Sequence, residues 1–233
     1  MKKLSIVIPV YNEKDTIKKI IKQVEEVNIS LEKEIIIVDD CSTDGTKEIL
    51  AQLDKPNCRI FFQSKNQGKG AAVIRGFKEG AGDIFIIQDA DLELNPNEYS
   101  KLLKPILAGQ ADVVFGSRFI GGGPRRVMPW LHVVTNKFLT WLSNLFTGLN
   151  LTDMETCYKM FRREVIDSIK DKLKSKRFGI EPELTARVAH GGWRIFEVGI
   201  SYNGRSYQEG KKINWKDGIA AIWSIIKFNL FDR

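Results

Sequence analysis

Directly after the apolar run from Ile84 to Gln88, the segment "DADLELNP" sets three carboxylates at alternate positions, Asp89, Asp91 and Glu93. In an extended segment alternate side chains point the same way, so the three repel one another unless a cation sits among them. Oxygen-only ligands in a partly hydrated site suit Mg²⁺ or Mn²⁺, ions commonly shared between one or two carboxylates and substrate phosphates. D-x-D also occurs in plain surface turns, and Asn95-Pro96 marks the start of a helix. A second acidic pair, Asp39 and Asp40, ends the run "IIIVDD", where a carboxylate accepts hydrogen bonds from a ribose or a base edge, or caps a turn. The basic loop "NQGKG" is the complement: Gly68 and Gly70 open backbone amides near a helix start and Lys69 adds charge. A simple helix-capping turn accounts for the same residues. Walker A is absent, and G-x-G-x-x-G fails at Val73, which demotes nucleotide hydrolases and dinucleotide oxidoreductases.

These side chains act together only if the chain brings them to one place. Periodicity predicts strands at Leu4 to Ile8, Glu34 to Val38, Arg59 to Gln63, Ile84 to Gln88 and Asp112 to Phe115. Helices are predicted at Thr16 to Val27, Thr46 to Leu53, Gly70 to Glu79 and Asn97 to Leu107. Strict alternation implies an α/β domain whose mostly parallel sheet carries helices on both faces. Ligands bind such sheets beyond the carboxyl ends of the strands, so "PVYNE", "DDCSTDG", "NQGKG", "DADLE" and "GSRF" are expected on one rim. After the glycine hinge "FIGGGPRR" the pattern changes. An aromatic-rich helix over Met128 to Phe146 is followed by "DMETCYKMFRREVIDSI", "FGIEPELTARVAHGG", a strand-like "WRIFEVGISY", and a basic, aromatic helix from about Lys216 to Phe231.

The 233 residues carry 36 Lys and Arg against 29 Asp and Glu, a net +7 that favours anionic partners. Nucleic acid is not expected among them, because neither an RNP motif nor a helix-turn-helix signature is present. Three scattered cysteines, Cys41, Cys58 and Cys157, make no disulfide framework or zinc motif, so a reducing, cytosolic setting is expected. The apolar stretch Leu4 to Val10 contains Pro9 and reads as a first strand rather than a signal peptide. His132 and His190 have no second histidine at metal-ligand spacing.

In order and spacing, "IVIPVYNE", "IIIVDDCSTDGT", "NQGKGAAVIRGF" and "DADLE" resemble the family 2 glycosyltransferases of GT-A (nucleotide-diphospho-sugar transferase) fold. "GSRF" and "GRSYQEGKKINWKDG" resemble the dolichyl-phosphate mannose synthase branch. The resemblance implies one domain, with residues 1–119 binding a nucleotide-sugar donor and 120–233 facing acceptor and membrane. It implies that Pro9, Tyr11, Glu13, Asp39 and Asp40 hold the nucleoside. Asp89 and Asp91 would hold a divalent ion, Mg²⁺ or Mn²⁺, on the diphosphate, with Glu93 as a third ligand. Arg118 and Arg205 match basic positions around the acceptor and donor phosphates, and Arg125 and Arg126 are further cations near them.

The implied reaction moves a hexose, with inversion, from a GDP- or UDP-sugar to a polyprenyl phosphate. A phosphate monoester has a second pKa of roughly 6 and attacks without losing a proton. A saccharide hydroxyl, the alternative acceptor, needs a base, for which Asp153, Glu155, Glu181 and Glu183 are the candidates. A non-catalytic nucleotide-sugar sensor or scaffold is the alternative of another class. No segment has the roughly 20 apolar residues of a membrane span, so peripheral contact with the cytosolic membrane face is expected. The two aromatic helices, with Lys137, Lys216 and Lys227, are expected to pack much of their length into the core and to leave part of the first for lipid.

Overall fold

The computed structural model describes residues 1–121, 124–205 and 215–232, without the side chains of 215 and 216. Segment 206–214, the middle of "GRSYQEGKKINWKDG", and the Lys216 side chain lie outside the described residues.

The expected alternation is present: β1 (Lys3–Val10), α1 (Ile17–Glu26), β2 (Glu32–Asp39), α2 (Thr46–Ala51), β3 (Cys58–Phe62), α3 (Lys69–Glu79), β4 (Ile84–Ile87), α4 (Tyr99–Leu107) and β5 (Val113–Ser117). Helix α1 shows why the pattern works, since Ile17, Ile20, Ile21 and Val24 form one buried face while its lysines stay in water. The second half adds α5 (Trp130–Thr147), β6 (Lys159–Arg162), α6 (Arg163–Ile169), α7 (Ile180–His190), β7 (Ile195–Gly199) and α8 (Trp215–Ile226), which runs on as a π-helical turn, Lys227–Phe231.

Among the described residues the strands form one sheet in the order β3-β2-β1-β4-β6-β5-β7. All neighbours are parallel except β6, which runs antiparallel to both β4 and β5. No periodicity in the sequence announces this strand. "KMFR" is four residues long with charge at both ends, too short for a period to emerge. Its insertion leaves β4 and β5 pointing the same way, so the five loops still share a rim. It also reverses the chain so that residues 151–158 arrive at that rim.

The core is sealed by aromatic contacts across layers. Phe77 of α3 meets Phe85 of β4 and Phe161 of β6 edge-on, at 6.0 and 5.9 Å between ring centres. Beneath the rim, the buried Gln88 accepts hydrogen bonds from the hydroxyls of Tyr99 and Tyr158, both 2.7 Å, and donates to the Asp89 carbonyl at 3.0 Å. The start of the acidic turn is thereby fixed from below.

Helix α3 lies on β1 at Gly76, where a β-carbon would stand 2.2 Å from Cγ1 of Val7. Alanine for glycine in a helix ordinarily stabilises by about 1 kcal/mol, but here the overpacking, typically about 1–3 kcal/mol, outweighs it. Gly76→Ala is expected to lower the unfolding free energy measured in urea, whereas Gly148→Ala, with open space around it but φ of +72°, tests backbone strain alone.

Candidate active site

The rim loops enclose a cavity of about 1020 Å³, walled on one side by Pro9, Tyr11, Glu13, Lys69, Asp89 and Asp91 and on the other by α5 and α8. Three non-glycine residues with left-handed backbone cluster here: Asn12 (φ 52°), Cys41 (φ 63°) and Leu92 (φ 64°), one in each loop after β1, β2 and β4. Asparagine adopts this conformation readily; leucine does so only when its surroundings impose it.

Leu92 changes the expected geometry of the acidic segment. The chain turns at Ala90 and Asp91 instead of staying extended, and Asp91 Oδ1 accepts the Glu93 amide at 3.0 Å. The three carboxylates therefore do not form a comb. Glu93 is occupied by protein donors, with Oε2 accepting the Tyr202 hydroxyl at 2.9 Å and Oε1 the Arg205 amide at 2.7 Å. Asp89 is paired with Lys69 at 2.9 Å. Burial, then the charges of Asp89 and Glu93, push the Asp91 carboxyl up to about 8.

Fixed cations border this acidic turn. The Arg205 guanidinium is held bidentately by Glu13, at 2.8 and 3.3 Å, while its Nε donates to the Asp91 carbonyl at 2.8 Å. Arg118 forms a fork on the buried Asp153, with both bonds at 2.7 Å, and its backbone amide donates to the same carboxylate at 2.9 Å. The Arg118 guanidinium also lies over the Tyr202 ring, 5.3 Å from its centre. Tyr202 thus joins Glu93 to Arg118. Lys69 reaches Glu181 at 3.0 Å. Burial opposes the Lys69 charge, yet Asp89 in front and Glu181 behind hold its pKa well above the usual lysine value.

The other sequence-derived residues separate into those facing the cavity and those that build it. Pro9, Tyr11, Glu13, Asp40, Lys69, Asp89, Asp91, Glu93, Arg118 and Arg205 all line it. Asp39 is buried at the end of β2; its Oδ2 accepts the Ser42 amide at 3.1 Å, and its Oδ1 has no hydrogen-bond partner among the described residues. Asp40 accepts from the amides of Gln67 and Gly68, at 2.8 and 2.7 Å, and so positions "NQGKG". The glycines of that loop are required by a neighbouring chain segment: β-carbons at Gly68 and Gly70 would meet the carbonyls of Lys176 and Ser175 at 2.5 and 2.1 Å. Arg125 and Arg126 are exposed, and their guanidinia donate to the carbonyls of Arg118 and Gly204 at 2.9 and 3.0 Å. His132 lines the cavity, whereas His190 bonds Asn229.

Of the four candidate bases, three have structural partners. Asp153 holds Arg118, Glu181 meets Lys69 and Lys159, and Glu183 accepts the amides of Lys174 and Ser175 at 2.9 and 2.7 Å. Glu155 lines the cavity.

Helix α5 departs from the expected division between core and lipid. Trp130, Val134, Phe138, Trp141 and Leu145 follow one another at helical spacing and are exposed, Trp130 at 74% and Trp141 at 58%. Only Leu139, Thr140 and Ser143 of the helix are buried. Ile219, Trp223, Leu230 and Phe231 extend the exposed apolar surface along α8 and its final turn. No helix among the described residues is long and apolar enough to cross a membrane.

No group of three His, Cys, Asp or Glu side chains among the described residues forms a ready-made metal cage. Asp89 and Asp91 offer a pair of carboxylates, and burial first, then the charges of Asp89 and Glu93, raise the Asp91 pKa. Such a pair fits Mg²⁺ or Mn²⁺ when water and phosphate oxygens complete the shell.

Glycosyl transferase family 2 matches residues 5–170. The polyprenol monophosphomannose synthase of Mycolicibacterium smegmatis is 32% identical over 94% of this chain and 86% of its own length. The undecaprenyl-phosphate mannosyltransferase of Micrococcus luteus is 30% identical over 88% of the chain and 85% of its own length. The dolichol-phosphate mannosyltransferase of Pyrococcus furiosus is 30% identical over 91% of the chain, which spans 60% of that relative. Among solved structures, glucosyl-3-phosphoglycerate synthase from Mycobacterium tuberculosis, in complex with Mn²⁺, UDP and phosphoglyceric acid, aligns with a TM-score of 0.75. It covers 98% of this chain and 79% of its own at 20% identity, a likeness of fold.

The Asp91 environment has a measurable consequence. Its folded pKa of about 8 lies above the ordinary aspartate value, so between roughly pH 4 and 8 the folded state binds the extra proton and Asp91 costs stability as pH rises. In EDTA, Asp91→Asn is expected to gain stability over the natural protein progressively from pH 5 to 8.5. Parallel stability curves for the two proteins would refute the buried-charge assignment.

Proposed function

The chain belongs to glycosyl transferase family 2, with the GT-A fold, and from that membership we propose that it transfers a hexose, with inversion, from a nucleotide-diphosphate sugar to a polyprenyl phosphate at a membrane surface. One observation carries the reading. Arg118, locked on Asp153, shares a cavity with the Asp89–Asp91 pair, and the outer wall of that cavity is a helix with an exposed apolar stripe. An anionic headgroup on an apolar chain matches both surfaces.

Pro9, Tyr11 and the buried Asp39 end would take the nucleoside, and Asp89 and Asp91 would hold Mg²⁺ or Mn²⁺ against the diphosphate. The ion supplies charge stabilisation to the departing nucleotide, worth several kcal/mol in such reactions. Arg205, fixed by Glu13, adds a permanent positive charge on the same side. Arg118, held by Asp153 through Nε and Nη2, keeps its Nη1 group and its permanent charge for a phosphate oxygen. The acceptor phosphate is already anionic near neutral pH, so attack requires no base. Names of the relatives favour the same acceptor class.

Membrane contact follows from the stripe. Tryptophan and phenylalanine on a helix that lies in the headgroup region stabilise peripheral binding through buried apolar area. The cytosolic face is the side on which such a donor would be met.

With Mg²⁺ or Mn²⁺, radiolabelled GDP-mannose or UDP-glucose and a short polyprenyl phosphate, label is expected in an acid-labile lipid. Label confined to water-soluble glycan would sink the lipid-phosphate reading. Asp91→Asn is expected to abolish transfer while remaining folded.

Joint replacement Trp130→Ala and Trp141→Ala is expected to reduce binding to anionic phospholipid vesicles by about tenfold or more, with thermal stability unchanged because both rings are exposed. Undiminished cosedimentation would remove α5 from the docking surface.

A further inference from the structure

Among the described residues, two buried polar atoms of cavity-lining residues have neither a hydrogen bond nor an ion pair: Oε1 of Glu155 and Oγ1 of Thr156, whereas Oε1 of Glu181 is held by Lys69 at 3.0 Å. Both atoms are buried, both residues line the cavity, and Thr156 is only 1% exposed. Buried polar atoms are normally paired, so a neighbouring pair of exceptions calls for a ligand. The backbone that carries them is rigidly held. Lys159, wholly buried, donates to the carbonyl of Met154 at 2.8 Å and to that of Thr156, gripping the chain on both sides of Glu155.

We infer that Glu155 and Thr156 form the subsite that recognises the hydroxyl groups of the transferred sugar. The inference deepens the nucleotide-sugar reading above and rests on it. Of the parts of the ligands that reading brings into the cavity, the phosphates are repelled by a carboxylate, the polyprenyl chain has no use for one, and the nucleoside is assigned to Pro9, Tyr11 and the Asp39 end of β2. The sugar ring remains. A carboxylate accepts two hydroxyl hydrogens, and a threonine hydroxyl both donates and accepts, a match for neighbouring hydroxyls on a hexose. Burial pushes the Glu155 carboxyl up to about 7, with Lys159 opposing the rise and Glu181 adding to it. The uncharged form would donate a hydrogen bond as well as accept one. Glu155 is a specificity-determining residue here, set apart from Asp89 and Asp91 at the diphosphate.

The test separates the sugar from its nucleotide, and it omits the acceptor so that acceptor identity cannot affect the result. Calorimetry with Mg²⁺ compares GDP with GDP-mannose, and UDP with UDP-glucose, on the natural chain and on Glu155→Ala, Glu155→Gln and Thr156→Val. Glu155→Ala is expected to weaken the nucleotide sugar by about ten- to a hundredfold, the range for a hydrogen bond to a charged group. The bare nucleotide should change by less than about twofold. Glu155→Gln, which keeps the side-chain volume, is expected to retain part of the sugar affinity and to serve if the alanine variant does not fold. A deoxy-sugar donor lacking the contacted hydroxyl should bind Glu155→Ala as well as its parent does. Equal weakening of nucleotide and nucleotide sugar would overturn the assignment in favour of a structural role, as would unchanged sugar affinity in both Glu155 variants. Absence of nucleotide-sugar binding to the natural chain is a different result, which removes the donor reading itself.

Discussion

The molecule gathers negative charge where its strands end, and every other feature of the rim answers that constraint. Glu13, Asp89, Asp91, Glu93 and Glu181 meet around one cavity, with Asp153 buried against Arg118, in surroundings where an unpaired ion is expensive. Arg205 is shared by Glu13 and the acidic turn, Arg118 answers Asp153, and Lys69 stands between Asp89 and Glu181. Breaking a buried pair typically costs about 3–5 kcal/mol because the survivor is stranded. The cations are therefore part of the architecture before they meet any substrate. Their orientation is settled in advance, which is what electrostatic stabilisation of a developing charge requires.

The partners come from distant parts of the chain, and the sheet brings them together. Arg205 reaches back 192 positions to Glu13. Asp153 reaches Arg118 only because β6 runs antiparallel and returns the segment before it to the rim. Gln88, clasped by two buried tyrosine hydroxyls, fixes the exit of β4 from below. Leu92 then turns the chain sharply enough to send Glu93 to Tyr202. One ring links the two ends of the site: Glu93 accepts the Tyr202 hydroxyl, and the face of the same tyrosine carries Arg118.

Local periodicity made the first half legible. The buried face of α1 and the apolar strands β1, β2 and β4 repeat in the sequence as they do in space. The rim loops could be identified because a parallel sheet permits one binding edge. Pairings across the rim could not, since no local pattern joins Arg118 to Asp153 or Arg205 to Glu13. The short β6 was hidden for a related reason, its four residues drawing their strand character from the neighbours on either side. Alternation of Asp89, Asp91 and Glu93 suggested a comb of carboxylates, but a left-handed leucine defeats alternation and cannot be read from composition. In α5 an aromatic stripe has the same spacing whether it faces core or solvent. Only the tertiary contacts distinguish the two.

The cavity's two walls bear on the choice of acceptor. Its inner wall is polar, charged and fixed by paired ions, as the proposed nucleotide-sugar donor requires. Its outer wall is α5, which contributes Leu131 and Phe138 to the cavity while its exposed stripe continues outward through Trp130, Val134, Trp141 and Leu145. A soluble saccharide would gain little from that surface, and keeping it in water would be a standing liability for aggregation. A lipid phosphate resolves both points. The apolar chain accounts for the helix, and the headgroup accounts for an arginine fixed inside the cavity. The apolar outer wall is what a hydroxyl acceptor leaves unexplained.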